Sequence, residues 1–317
     1  SYPFAFGYCP DMVPYLHEDN SQRPCVIVVP GGGYAVVSPT EGEMVAEKFY
    51  AAGFQSFVFS YTTNLLMAAP LMDQPMRDLA RAIRLIRSRS EELRVDPNRI
   101  AICGFSAGGH LCASLCVHFN DIPDTDEELN AVSARPDAAI LSYPVITTGD
   151  YAHRDSFRAL LGQDIYERED AEAKQLLHYY SVEKHVSAET PPCFVWQTMT
   201  DELVPVDNFI AMLKALRAQG IDCACHLFSQ GKHGLSLANE DWAALRIGDA
   251  HCFDQALRIL DAARTGILPL PEEIQTGLVN ALSPAPEKLE EPNEEVQSWP
   301  ELAICWLKRQ FRLKGLT

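Results

Sequence analysis

The chain has 317 residues, 47% hydrophobic and 22% charged, the composition of an ordinary soluble globular protein. Its 26 Lys and Arg against 43 Asp and Glu leave a net charge of −17, a field that repels nucleic acid and anionic membrane and argues against either as a partner. No apolar run is long enough to span a bilayer, and the first residues, "SYPFAFGYCPDM", lack the basic-then-apolar order of a leader.

Ten cysteines lie scattered through apolar stretches with no CxxC pair. Several, Cys25, Cys103 and Cys193 among them, fall in predicted strands, where Cys behaves as a small hydrophobe. They read as reduced core thiols of a cytoplasmic protein. Ser1 in place of an initiator Met implies a processed or trimmed chain, which leaves a removed signal peptide open. The length fits one domain plus an insertion.

In chain order, "CVIVVP" (25–30) reads as a buried strand that runs into Gly31, Gly32 and Gly33. A helix over 43–53 follows, closed by Gly53, and then a strand, "QSFVFSY" (55–61). The spacing of Met76, Leu79, Ile83 and Ile86 predicts a helix over 75–93 with one apolar face. The strand "RIAICGF" (99–105) runs straight into "SAGG", and "DAAILSYPV" (137–145) is the next strand. Residues 146–190 are polar and irregular, a cap-like connection with short helices expected at 155–161 and 167–178. The strand "PCFVWQTM" (192–199), a helix over 206–220 with Phe209, Met212, Leu213 and Leu216 on one face, and the strand "DCACHLFS" (222–229) restore the alternation. Such alternation, with strands apolar on both faces, predicts a mostly parallel, doubly wound α/β sheet with helices on both sides.

Residues 239–298 form an insertion near the C-terminus. A helix is expected over 249–266, with Phe253, Leu257 and Leu260 on one face and Gly266 as its stop. The Pro- and Glu-rich residues 266–298 read as extended or mobile. A final amphipathic helix spans 299–311.

The stretch "GFSAGG" meets G-x-S-x-G with Gly104, Ser106 and Gly108, between a strand and a helix of small residues. That setting strains the turn and exposes the serine hydroxyl beside the unpaired N–H of Ala107 and the positive end of a helix dipole. The bland alternative is a helix N-cap.

An alcohol needs a base to attack at neutral pH. His233, in the Gly-flanked loop "GKHGL" after the last predicted strand, is placed to reach across the sheet edge. His110 points along its own helix and is read as packing, His226 lies within a strand, and the other histidines lack a comparable setting. Asp201, directly after a strand, suits the carboxylate that orients the imidazole. Its rivals are Glu202 and Asp207, the latter explained by capping. The glycines at 31–33 offer backbone N–H groups to an oxyanion. They match neither phosphate-loop pattern. "CACH" (223–226) has no complementary pair, so no metal is expected.

"VVPGGGYAVVSPTEGEMVAEKF", "RIAICGFSAGGHL", "LSYPVIT", "TPPCFVWQTMTDELVPVDN" and "GKHGLSLA" together resemble the acetyl-xylan-esterase-like branch of the α/β-hydrolases. That branch is related to the hormone-sensitive-lipase-like and prolyl-oligopeptidase-like esterases. The resemblance runs from about residue 22 to 238 and resumes at "SWPELAICWLKRQF". It implies an α/β-hydrolase fold, Ser106 as nucleophile, Asp201 as acid and His233 as base. It also implies oxyanion donors at Gly32, Gly33 and Ala107, no cofactor, and a small ester as substrate, with acetylated sugars or xylo-oligosaccharides as the class. Pro30 stands where hormone-sensitive-lipase-like members have His. Tyr34, beside the loop, either lines the acyl pocket or packs. The insertion departs from the family; it could cover the site, build a homodimer contact or be inert decoration. Two other readings stay open, an amide or small-peptide hydrolase with the same triad and a non-catalytic binding protein on this fold.

Overall fold

The computed structural model describes residues 2–246, 253–273, 275–277 and 290–312. Its strands are β1 (Asp11–Tyr15), β2 (Arg23–Val29), β3 (Gln55–Ser60), β4 (Val95–Phe105), β5 (Ala138–Ser142), β6 (Cys193–Thr198) and β7 (Cys223–Phe228). The near-continuous apolar runs of β2, β3, β5 and β6 have a direct cause, since these strands are covered on both faces. Along β2, Cys25, Ile27 and Val29 enter one core while Val26 and Val28 enter the other, the period of two that a pleated strand imposes.

The strand order is β1-β3-β2-β4-β5-β6-β7. All pairings are parallel except β1 with β3. From β2 the chain crosses to β3 on one side and then to β4 on the other. The crevice outside the carboxyl ends of β2 and β4 is therefore a topological switch point, where open α/β sheets bind ligands. Both Gly-bearing turns open there.

The helices are α1 (Glu43–Ala51), α2 (Gln74–Ser88), α3 (Ser90–Leu93), α4 (Ser106–His118), α5 (Glu127–Asn130), α6 (Arg154–Leu161), α7 (Ala171–Tyr179), α8 (Asp207–Ala218), α9 (Glu240–Ala243) and α10 (Asp254–Arg264), followed by the C-terminal helix Trp299–Gln310. One sheet face takes α2, α4 and α8 through Leu79, Ile83, Leu111, Leu115, Met212 and Leu216. The other takes α1 and the C-terminal helix through Val45, Phe49, Trp299 and Leu307. The helix expected over 75–93 breaks at Arg89, and α3 ends at Arg94, which turns left-handed at φ 54°.

The cap-like connection 146–190 is tied into the body. Asn208 Oδ1 accepts Ile146 N–H and Thr147 N–H, and Phe157, Leu160, Leu161 and Ile165 are buried. Within the insertion, α10 buries Ile259 and Leu260 against Phe6, Leu65, Leu66, Leu268 and Leu270, while Leu257 is 49% exposed. The apolar face of α10 is thus turned from the expected one, because Ala256, Ile259, Leu260 and Ala263 are the residues that meet the body. Residues 249–252 of that predicted helix, and 278–289 of the Pro- and Glu-rich stretch, lie outside the described residues. No helix among the described residues is long and apolar enough to cross a membrane. The described cysteines are all free, five of them buried.

Candidate active site

Ser106 stands between β4 and α4 at φ 51°, a left-handed conformation that strains a serine by about 1–3 kcal/mol. Close packing around the turn accounts for its glycines. A Cβ on Gly104 would lie 2.3 Å from Gly108 O, and one on Gly108 would lie 2.2 Å from Val29 O and 2.4 Å from Pro30 O. The turn is pinned from β5's side by Val145 N–H, which donates to Ser106 O at 3.1 Å. Ser106 is 6% exposed, and Ala107 N–H, in the first turn of α4, has no partner within its helix.

His233 lies in the loop after β7. Thr198 and Thr200 hold that loop to the end of β6 by donating their hydroxyls to Gly231 O, and Gly231 N–H donates back to Thr200 Oγ1. His233 Nε2 lies 2.8 Å from Ser106 Oγ and Nδ1 lies 2.7 Å from Asp201 Oδ2. Asp201 Oδ1 accepts Leu203 N–H and Val204 N–H, which fixes the carboxylate in its loop. The three side chains named from sequence therefore form one hydrogen-bonded line. Glu202 is exposed, and Asp207 sits in the first turn of α8, whose cap residue, Val206, makes no side-chain cap bond. A dipole role thus replaces the expected capping.

The glycine loop after β2 arches over the turn. Gly32, Gly33 and Tyr34 all have positive φ, at 121°, 64° and 60°. A Cβ on Gly31 would sit 2.9 Å from Ser106 Cβ, so the loop touches Ser106. Gly31 N–H is taken by Glu41 Oε2 at 2.7 Å. Among the described residues no hydrogen bond engages Gly32 N–H or Gly33 N–H.

Tyr34 is 1% exposed, with its ring edge-on to Tyr61 and His110 and its hydroxyl 2.8 Å from His110 Nδ1. This is packing geometry, and it corrects the pocket-lining alternative: the ring offers almost no surface to a ligand. His110 bridges on to Tyr180 O through Nε2 at 2.9 Å. Burial, with no carboxylate beside it, pushes its pKa down from 6.5 to about 4. His110 thus folds neutral, and between pH 6.5 and about 4 only the unfolded chain takes up the proton. Its contribution is fully present above pH 6.5 and is lost as the pH falls, by about 3 kcal/mol in all. Urea unfolding of the wild type should weaken more steeply over this range than that of His110→Gln; equal slopes would contradict this account.

Four site residues escaped sequence reasoning. His153, at the start of α6, shares a hydrogen bond with Ser156 Oγ at 2.8 Å. Burial lowers its pKa, and the charge of His233 lowers it further, while Asp155 and Asp201 pull it back. Ser156 Oγ lies 3.9 Å from where a Cβ of Gly33 would stand. The others are Glu41 and Tyr143, both buried, and Ser236, which is fully buried. Tyr143 donates its hydroxyl to Glu41 Oε1 at 2.6 Å and accepts Ser236 N–H at 3.0 Å, and its ring stands edge-on to His233 with centroids 5.0 Å apart. Only "SPTEGE" in front of α1 could have drawn attention to Glu41. No set of three His, Cys, Asp or Glu placed to hold a metal ion occurs among the described residues.

The BD-FAE family profile matches residues 13–216, more than half of the chain. The chain belongs to the BD-FAE family. It is 44% identical over 258 residues to endo-1,4-beta-xylanase B of Butyrivibrio fibrisolvens, covering 81% of this chain and 40% of that protein. It is 31% identical over 229 residues to an acetylxylan esterase of Xylanibacter ruminicola, covering 70% and 43%. The chain thus spans less than half the length of these curated relatives. Among solved structures it is similar to an acetyl ester-xyloside bifunctional hydrolase from Caldicellulosiruptor lactoaceticus, with 36% identity, a TM-score of 0.66 and coverage of 83% and 90%. A carboxylesterase from Lactobacillus plantarum, 25% identical, gives the same TM-score over 96% and 94%. This BD-FAE member is an α/β-hydrolase of the acetyl-xylan-esterase-like branch.

Proposed function

We propose that the protein is a serine esterase that releases short acyl groups, acetyl above all, from hydroxylated carbohydrate through an acyl-enzyme. The observation that carries this reading is the line Ser106 Oγ, His233, Asp201, at 2.8 and 2.7 Å, beside a glycine loop whose Gly32 and Gly33 N–H groups make no hydrogen bond among the described residues. His233 Nε2 takes the proton from Ser106 Oγ as the oxygen bonds to the ester carbonyl carbon. Asp201 holds the opposite nitrogen as N–H donor and favours the imidazolium that forms. The tetrahedral oxyanion is met by Ala107 N–H and the glycine-loop amides, a donor set in which each member contributes about 3 kcal/mol. Collapse breaks the bond to the alcohol oxygen, which receives the proton from His233. Water, deprotonated by the same imidazole, then attacks the acyl-serine, and its collapse returns the proton to Ser106.

Acetylated xylo-oligosaccharide as substrate class draws on the relatives' names, a xylanase and an acetylxylan esterase. A fluorophosphonate probe should label one residue, Ser106, found by peptide mapping. Acetate release from acetylated xylo-oligosaccharides should exceed release of longer acyl groups from matched aryl esters. Failure to label Ser106 would refute the acyl-enzyme, and faster cleavage of an aminoacyl amide than of an acetyl ester would favour the amidase alternative.

A further inference from the structure

Beneath the glycine loop lies a buried polar group that the proton-transfer line does not use. Glu41 is 3% exposed and reaches two structures at once. Its Oε2 accepts Gly31 N–H at 2.7 Å, and its Oε1 accepts the Tyr143 hydroxyl at 2.6 Å. Gly31 is the residue whose added Cβ would strike Ser106, and Tyr143 is the aromatic wall against which His233 stands. Tyr143 is itself held from two further sides. Its oxygen accepts Ser236 N–H, and its ring stands edge-on to Trp196 with centroids 4.9 Å apart. Ser236 in turn donates its hydroxyl to Thr40 O at 2.6 Å, which closes the circuit beside Glu41.

We propose that Glu41 is a positioning residue: its carboxylate ties the oxyanion loop, through Gly31 N–H, to the phenol that backs His233, so that acceptor site and base keep one mutual geometry.

The hydrogen-bond directions fit an anion. Gly31 N–H can only donate. Tyr143 already accepts from Ser236, so its own proton goes to Glu41. Both carboxylate oxygens therefore accept, and neither needs a proton. Burial opposes this charge and raises the Glu41 pKa, while Tyr143, Gly31 and the charge of His233 pull it back. The titratable groups that feel Glu41 are Tyr61, Cys103, Tyr143 and His233. Of these, only His233 changes charge during turnover. The carboxylate thus serves twice, as a two-ended clamp and as a negative charge that favours the imidazolium.

Glu41→Gln separates these roles from simple packing. The amide keeps the shape, but its NH₂ must face either Gly31 N–H or a Tyr143 oxygen already occupied by Ser236, so one donor loses its acceptor. The inference rests on the serine-esterase reading, so wild type and Ser106→Ala are measured beside the variants with p-nitrophenyl acetate. Glu41→Gln is expected to lower kcat by about 10–100-fold with KM within about threefold, somewhat less than loss of an oxyanion donor itself. The acid limb of its kcat/KM profile should move to lower pH, because the charge that favoured imidazolium is gone. Glu41→Asp should lose rate yet keep the acid limb in place. Tyr143→Phe, which retains the ring against His233 and Trp196, should lower kcat about tenfold. Combined with Glu41→Gln, it should add little, as members of one unit do.

A folded Glu41→Gln enzyme with wild-type kcat, a loss confined to KM, or an unmoved acid limb would overturn the inference. If Glu41→Gln does not fold, full activity in Tyr143→Phe and Glu41→Asp overturns it equally, and their expected losses support it. A wild-type protein whose turnover does not depend on Ser106 would instead sink the esterase reading itself.

Discussion

Replacing Ser106 by Ala is expected to lower kcat/KM toward p-nitrophenyl acetate by about 10⁴–10⁶-fold while the protein remains folded. The size follows from what the hydroxyl does. Without Oγ there is no covalent intermediate, and only binding and the backbone donors remain to assist direct attack by water. The fold should tolerate the change, because among the described residues Ser106 Oγ bonds only His233 Nε2 and the turn is held by backbone contacts. Alanine at φ 51° carries much the same strain as serine. Thermal unfolding of the variant should therefore fall within a few degrees of wild type. Retained turnover in a clean preparation would show that the reaction does not pass through Ser106.

Gly108→Ala should be strongly damaging. Its Cβ would stand 2.2 Å from Val29 O and 2.4 Å from Pro30 O, both backbone atoms that cannot swing aside. Relief requires α4 to back away from β2, which would open the turn that presents Ser106 and displace the glycine loop with it. A loss of about 3 kcal/mol or more in unfolding free energy is expected, with activity lost in parallel. Gly234→Ala provides the contrast. That glycine has φ +79° but nothing within 4 Å of an added Cβ, so only the conformational cost of about 1–2 kcal/mol applies. Equal destabilisation of the two variants in urea melts would show that conformation, and not close approach, is what these glycines supply.

Much of this arrangement was legible in the sequence because it rests on local signals. β2, β4, β5 and β6 announce themselves as short apolar runs, since a strand covered on both faces is mostly apolar. Ser106 follows such a run directly, Asp201 lies just beyond β6 and His233 in the loop after β7, so locating the strands narrowed the search to these loops. β1 was missed for the same reason in reverse. "DMVPY" is a half-buried edge strand with Pro14 in it, and only its antiparallel pairing with β3 makes it a strand. The break of α2 at Arg89 left no mark either, because "SRSEEL" continues a helix-forming composition.

Glu41, Tyr143, Ser236 and His153 were invisible for a different reason. Their meaning lies in pairs separated by 102 residues for Glu41 and Tyr143 and 93 for Ser236 and Tyr143, and no spacing rule spans such gaps. His153 sits in the irregular connection, where no periodicity says which way a side chain faces. The orientation of α10 was misjudged because Leu257 is the apolar residue that the pattern favours, whereas the small Ala256 and Ala263 are the ones that fit against the body.

The indole of Trp299 carries a consequence for the order in which the protein comes into being. Its Nε1–H donates to Ser236 O at 2.7 Å, three positions beyond His233, while its ring stacks on Trp196. A nascent chain that has left the ribosome as far as residue 240 already holds Ser106, Asp201 and His233. It still leaves the Ser236 carbonyl, buried in the finished protein, without its donor, and one face of the sheet without its cover. Synthesis runs at about 5–20 residues per second, so this incomplete interval lasts several seconds. The loop that carries His233 is thus fastened by a helix made well after it.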